Sequence, residues 1–196
     1  MARIGMKYPV FATENTYTEG GGITYNAGQV LCHAIAANIT YNRRNNPLYA
    51  DDTKVENDKG LTDYQISFEG DRLPDDKRAT LLGETAISNT AQPPVVTHYI
   101  VGDSNPPYVG FGFYQVYMED NVTKFEAFWF HRVQFSLDNE QSNTKGEQIQ
   151  WGTYTLTGTG FGVTLDATSG VQFFHHMNFA TESACKTWLN GKAGIT

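Results

Sequence analysis

Residues 110–135 read GFGFYQVYMEDNVTKFEAFWFHRVQF. Two apolar runs flank the polar triplet Glu119, Asp120 and Asn121, the pattern of two long strands joined by a tight turn. A half-buried strand alternates apolar with polar residues, because successive side chains point to opposite faces. Neither run does so. On the first, Phe111, Phe113 and Tyr117 share one face and Tyr114, Val116 and Met118 the other. On the second, simple alternation puts Phe125, Ala127, Trp129, Val133 and Phe135 on one face and Phe128 and Phe130 on the opposite one. Burying each such ring contributes about 1.5–3 kcal/mol, so an aromatic face left in water forgoes stability and adheres to its neighbours. The pattern predicts a hairpin covered on both sides. One side takes the chain's own core; the other takes a second layer, either a helix such as 73–82 or another copy of the chain.

Composition narrows the setting. The chain has 196 residues, enough for one domain spanning 1–196 with its own core. It is 13% aromatic, and 19 glycines against 7 prolines suit a turn-dense β protein. The net charge of −7 argues against gripping a phosphate backbone, which needs clustered Lys and Arg. Cys32 and Cys185 are far apart and form no disulfide framework, so free thiols made in a reducing compartment are expected. The opening MARIGMKYPVF lacks the apolar stretch of a signal peptide, and no apolar run reaches about 18 residues, so no membrane span is expected.

Strands are expected at 7–12, 61–70, 98–101, 147–158 and 171–179, with 29–41 helix or strand and its end strand-like. The 61–70 strand alternates, with Thr62, Tyr64, Ile66 and Phe68 on its apolar face. A helix is expected at 73–83, with Pro74, Asp75 and Asp76 in its first turn and Gly83 after its end. A second runs about 181–190, capped by Thr181 or Ser183 and ended by Gly191. Residues 42–60 are dense in Asn, Asp and Lys and read as one long loop, a length usually tied to function.

No catalytic constellation emerges, and an enzyme is not expected. There is no G-x-S-x-G elbow, and His175 and His176 are adjacent, so on a strand they point apart and share no ion easily. Gly158, Gly160 and Gly162 follow a strand but open no helix, which reads as a turn or bulge rather than a nucleotide loop. Asp51, Asp52, Glu56 and Asp58 miss the calcium-loop spacing. No metal or cofactor is expected. Exposed Trp129, Trp151 and Trp188 stacking on sugars would make the chain a carbohydrate-binding β-sandwich, the alternative function.

Five segments in order carry a resemblance: NPLYADD (46–52), PPYVGFGFY (106–114), FWFHRVQFS (128–136), NTKGEQIQWGTYTLTGT (143–159) and FATESACKTWLNGKAG (179–194). Together they resemble the major tail proteins of long-tailed bacteriophages, in the family found in phages of Gram-positive hosts. The polar segment 84–96 departs from that pattern and reads as an insertion. The resemblance implies an antiparallel β-sandwich or barrel-like tail-tube fold with flanking helices. It implies a virion structural protein, assembled in the host cytoplasm, whose copies form hexameric rings that stack into a tube and contact other tail proteins. DNA passes through the lumen without specific binding. It further implies a ring interface on the hairpin (Phe111, Phe113, Tyr114, Tyr117, Phe128, Trp129, Phe130). The 42–60 loop would reach a neighbour or the next ring through Pro47, Leu48, Tyr49, Asp51 and Asp52. Candidate lumen acids are Asp63, Glu69, Glu126 and Glu147, whose charge would repel DNA.

Overall fold

The computed structural model describes residues 2–88, 96–101, 105–140 and 152–195. The first half contains β1 (Ala2–Thr18), β2 (Gly22–Tyr25), β3 (Gln29–Val30), β4 (Ala34–Arg43), β5 (Asn46–Ala50), β6 (Thr53–Asp58) and β7 (Leu61–Gly70). Then come α1 (Asp75–Leu82), β8 (Thr85–Ser88), β9 (Val96–Tyr99), β10 (Tyr108–Glu119) and β11 (Val122–Glu140). The chain closes with β12 (Tyr154–Gly160), β13 (Val163–Thr164), β14 (Val171–Gln172), β15 (Phe174–Phe179) and α2 (Glu182–Ala193). The fold is mainly β, and all pairings are antiparallel, as expected for a β-sandwich-like architecture.

The main sheet runs β2-β1-β10-β11-β12-β7-β4, with β15 added to β11 and β3 to β1. It curls so that β4 packs beside β1. The opening hairpin is its centre. Asp120 and Asn121 both take positive φ, as a primed two-residue turn requires. One register shift interrupts the pair: Val109 faces Val133 and Phe111 faces Phe130, so His131 and Arg132 together oppose Gly110. This bulge corrects the face assignment made by counting in twos. Phe125, Ala127 and Trp129 stay on one face, but Val133 and Phe135 cross to join Phe128 and Phe130, because the inserted residue reverses the alternation. The bulge also falls where β11 changes partners, from β15 before it to β12 after it.

Both faces of the hairpin are buried by the chain itself. Inside the curl, Phe111, Phe113, Phe128, Phe130, Val133 and Phe135 meet Tyr64, Ile66 and Phe68 of β7, with Leu81 and Leu82 of α1 in the same cluster. Outside it, Tyr114, Ala127 and Trp129 are covered by Cys185, Leu189 and Ala193, the one apolar stripe of α2. A second copy is therefore not needed to complete the hairpin.

Other boundaries differ from expectation for identifiable reasons. β1 extends well beyond 7–12, and it bulges after Lys7, where Tyr8 takes a φ of +58°. Residues 29–41 hold β3 and most of β4, broken at 31–33, and no helix. Helix α1 starts one residue later than Pro74, which caps it, and Gly83 ends it in the left-handed conformation. Thr181 caps α2, accepting from the Ala184 amide, but Gly191 lies within the helix; the stripe continues to Ala193, and Gly194 ends it at a φ of +67°. β12 runs through Gly158 and on to Gly160, because side chains lie where Cβ atoms would stand: Phe135 and Val133 over Gly158, and the Tyr64 ring over Gly160. The expected part of that strand at 147–151 lies outside the described residues.

Candidate interaction surfaces

Most of 42–60 is a β-hairpin, at 46–58, rather than a loop, and 42–43 end β4. β5 pairs with β6 around a turn at Asp51 and Asp52, both at positive φ. Among the described residues the hairpin packs broadly on no other element. Leu48, Tyr49 and Val55 are 58%, 63% and 58% exposed, and Pro47, Asp51 and Asp52 are exposed with them. At its base, the Arg44 side chain pairs with Asp58 at 3.3 Å and its amide donates to the Gly60 carbonyl. Period-2 reading misses this hairpin because burial imposes no alternation on a sheet with two wet faces.

A second hairpin of the same kind is formed by β8 and β9, so the segment read as an insertion is in part a paired β structure. Residues 89–95 lie outside the described residues. Ile87, Val96 and Tyr99 are exposed on it, and Ile100 and Val101 just beyond it. The molecule thus presents two projecting arms, each with uncovered apolar side chains.

The hairpin residues expected at a ring interface are placed elsewhere. Phe111, Phe113, Tyr114, Tyr117, Phe128, Trp129 and Phe130 are at most 8% exposed in the single chain. Tyr114 is anchored further: its hydroxyl donates to Glu182 Oε1 at 2.6 Å, and burial followed by that carboxylate raises its pKa. These seven side chains are buried within the chain itself.

The candidate acids divide between two faces. Asp63 and Glu69 lie on the side of β7 opposite Tyr64, Ile66 and Phe68. Asp63 accepts from the Asn42 amide group, and Glu69 from the Thr153 hydroxyl at 2.7 Å. Glu126 sits on the face of β11 that carries Phe128, 3.3 Å from His176 Nδ1. Glu147 lies outside the described residues.

Between Asp63 and Glu69 the outer face of four strands carries two polar rows, a feature the sequence reading did not identify. Asn38, Ser67, Thr157 and Ser136 form one cross-strand row, and Thr40, Gln65, Thr159 and Gln134 the next. These rows hold no Lys or Arg. The signal was present in the alternating threonines of TYTLTGT (153–159), whose intervening residues are buried.

The remaining candidates for chemistry stay apart. Among the described residues no group of three His, Cys, Asp or Glu side chains is placed to hold a metal. His33 pairs with Asp71 at 2.9 Å on the surface. Trp129 is buried, and Trp188 packs against Phe179 and lies under Lys192, so neither offers an open platform for a sugar ring. Trp151 lies outside the described residues. Burial raises the pKa of both thiols, that of Cys185 to about 12, which keeps them as unreactive thiols. No helix is long and apolar enough to cross a membrane among the described residues. Neither the protein-family models nor the curated proteins compared with the chain give a match.

Proposed function

We propose that the chain is a structural subunit that associates with further copies of itself, forming the stacked, hexameric rings of a phage tail tube. The observation that carries this reading is the β5–β6 arm. An isolated two-stranded hairpin is marginal in water, and this one displays Leu48, Tyr49 and Val55 to solvent with no other described element packed broadly against it. A contact made by one patch of a copy on a different patch of the next is head-to-tail, and it propagates into rings or tubes. The resemblance carried by the five sequence segments supplies the identity of the assembly. The hairpin core does not contribute, because α2 already covers it.

The polar outer face of β4, β7, β12 and β11 is the surface best suited to line the channel. Its two central rows combine neutral hydroxyl and amide groups beside Asp63 and Glu69 and hold no Lys or Arg, while Arg43 and the Glu14-paired Arg132 stand at its ends. DNA neither adheres to nor is trapped on such a wall. Sugar binding has no comparable support, since Trp129 lies in the core.

The test is electron microscopy and sedimentation of purified protein. Rings or tubes are expected from the natural chain, and dispersed subunits from a Leu48→Ser, Tyr49→Ser variant. A natural chain that stays monomeric at high concentration under every salt condition rules the reading out.

A further inference from the structure

A recess of about 320 Å³ lies beside the bulge, between β2, β11, β15 and α2. This volume falls at the lower end of ligand pockets, about 300–1,000 Å³, and exceeds what one or two waters fill. Trp129 and His131 line it, 0% and 3% exposed. Among the described residues neither ring nitrogen of His131 has a hydrogen-bond partner, and the Trp129 indole N–H leans toward the Tyr25 oxygen without completing a bond. The Tyr25 hydroxyl is itself spent on the His131 backbone carbonyl, at 2.6 Å. His175 meets the His131 ring edge-on at 4.4 Å between centroids, and Lys192 of α2 stands at the margin. Buried polar groups are almost always bonded, so an imidazole with both nitrogens unused points to something that belongs in the space.

The chemistry of the lining selects among occupants. An apolar guest leaves the nitrogens as they are. A metal ion finds two imidazoles but no third ligand, and an ammonium nearby. The described lining residues include no carboxylate; they offer the indole N–H, the Lys192 ammonium and one N–H of the neutral His131 ring, while His175 Nε2 is engaged with Gln172 Oε1 at 2.9 Å. These donors converge, and a compact acceptor with negative charge answers them together. We infer that this recess binds one small oxyanion of the size of phosphate or acetate. The site is independent of the arms and of any assembly they make.

Nuclear magnetic resonance of the full chain tests it, with inorganic phosphate and acetate titrated separately at constant ionic strength. The expected result is a saturable shift of the Trp129 indole and His131 and His175 ring signals, with affinity weakened at least ~10-fold in Lys192→Ala. His131→Gln is expected to weaken it as well, and Lys192→Ala, on a helix surface, keeps the test decisive if that core variant does not fold. Saturation by phosphate alone assigns a phosphate-type ligand, and saturation by acetate alone a carboxylate such as an acidic side chain; either supports the site. Shifts that rise linearly with concentration, marking an adventitious ion only, overturn it. So does an affinity unchanged by Lys192→Ala.

Discussion

Truncating Leu189 to alanine separates a hairpin covered by its own chain from one that waits for a partner. Leu189 is fully buried on the central stripe of α2, against the outer face that carries Tyr114, Ala127 and Trp129. Its Cδ2 lies 2.9 Å from where a Cβ on Gly112 would stand, so the helix rests almost on the backbone of β10. Buried Leu→Ala changes cost about 2–5 kcal/mol, through lost transfer energy and the cavity left behind. The close backbone of β10 resists collapse into that cavity, which favours the upper part of the range. For a chain of this size the cost converts to about 4–20 °C in melting temperature. Urea unfolding at a concentration where the protein is monomeric should show a lower midpoint with an unchanged slope. Gly112→Ala attacks the same contact from the other side: its methyl would meet Trp129 at 2.7 Å and the Phe128 carbonyl at 2.9 Å, costing about 1–3 kcal/mol. The double variant should cost less than the sum, because the space vacated by Leu189 relieves one of the three clashes. If Leu189→Ala leaves the monomer's midpoint within about 0.5 kcal/mol of the natural chain, α2 does not cover the hairpin and the case for a self-sufficient core fails.

Other outcomes follow from the same geometry. Leu48→Ser with Tyr49→Ser should abolish assembly while leaving monomer stability within about 0.5 kcal/mol, since both side chains are exposed; a large loss of stability by calorimetry would place the arm in the fold instead. The His131 imidazole is held down to about 3, first by burial and then by His175 and Lys192, whereas the unfolded one titrates near 6.5. The unfolded state binds the extra proton between those values, so stability should fall as pH drops from about 6.5 toward 3, by up to about 1.4 kcal/mol per pH unit. Urea midpoints across that window should flatten in His131→Gln, and an equal slope in both proteins would refute the assignment. The Asp166 carboxylate accepts from the hydroxyls and amides of Ser169 and Thr168, which hold its pKa at about 2. Its folded value lies below the unfolded one, so its share of stability is present above about pH 4 and lost as pH falls toward 2. A carboxyl carbon titration with its midpoint near 4 would contradict that.

What could be read from the sequence tracks how far the physics is local. β7 appears in full because alternate residues of LTDYQISFEG face opposite environments, and the capped ends of both helices are written in Pro74, Gly83 and Thr181. The far end of α2 is not legible, because a glycine tolerated on an exposed helix face looks the same as one that stops a helix. The β5–β6 arm reads as a loop because alternation is imposed by burial, and the arm has almost none. Coverage of Tyr114 and Trp129 by Cys185, Leu189 and Ala193 joins segments some 60 residues apart, and three modest apolar residues in a polar helix do not announce their partner. Of the candidate site residues, the arm positions are exposed and the central-hairpin positions buried, because aromatic residues on two faces signal two covers without saying who supplies them.

The bulge at His131 and Arg132 ties several of these features to one cause. Without the inserted residue, Val133 and Phe135 would stay on the Trp129 face, and β7 would face polar positions across the inner core. With it, the inner core is aromatic along the length of β11, and β11 exchanges β15 for β12 at that point. The two side chains of the bulge must also go somewhere. Arg132 turns outward between the Tyr17 and Tyr108 rings and pairs with Glu14 at 2.8 Å. His131 turns under, beside Trp129, where its nitrogens find no partner among the described residues. Deleting His131 should therefore do more than lose an imidazole: it should drive Val133 and Phe135 back to the outer face and unfold the inner core. Replacing it with glutamine, which keeps the residue count, should leave the fold intact and alter only the recess. If the deletion variant instead melts like the substitution, the register of β11 is not what fixes the core.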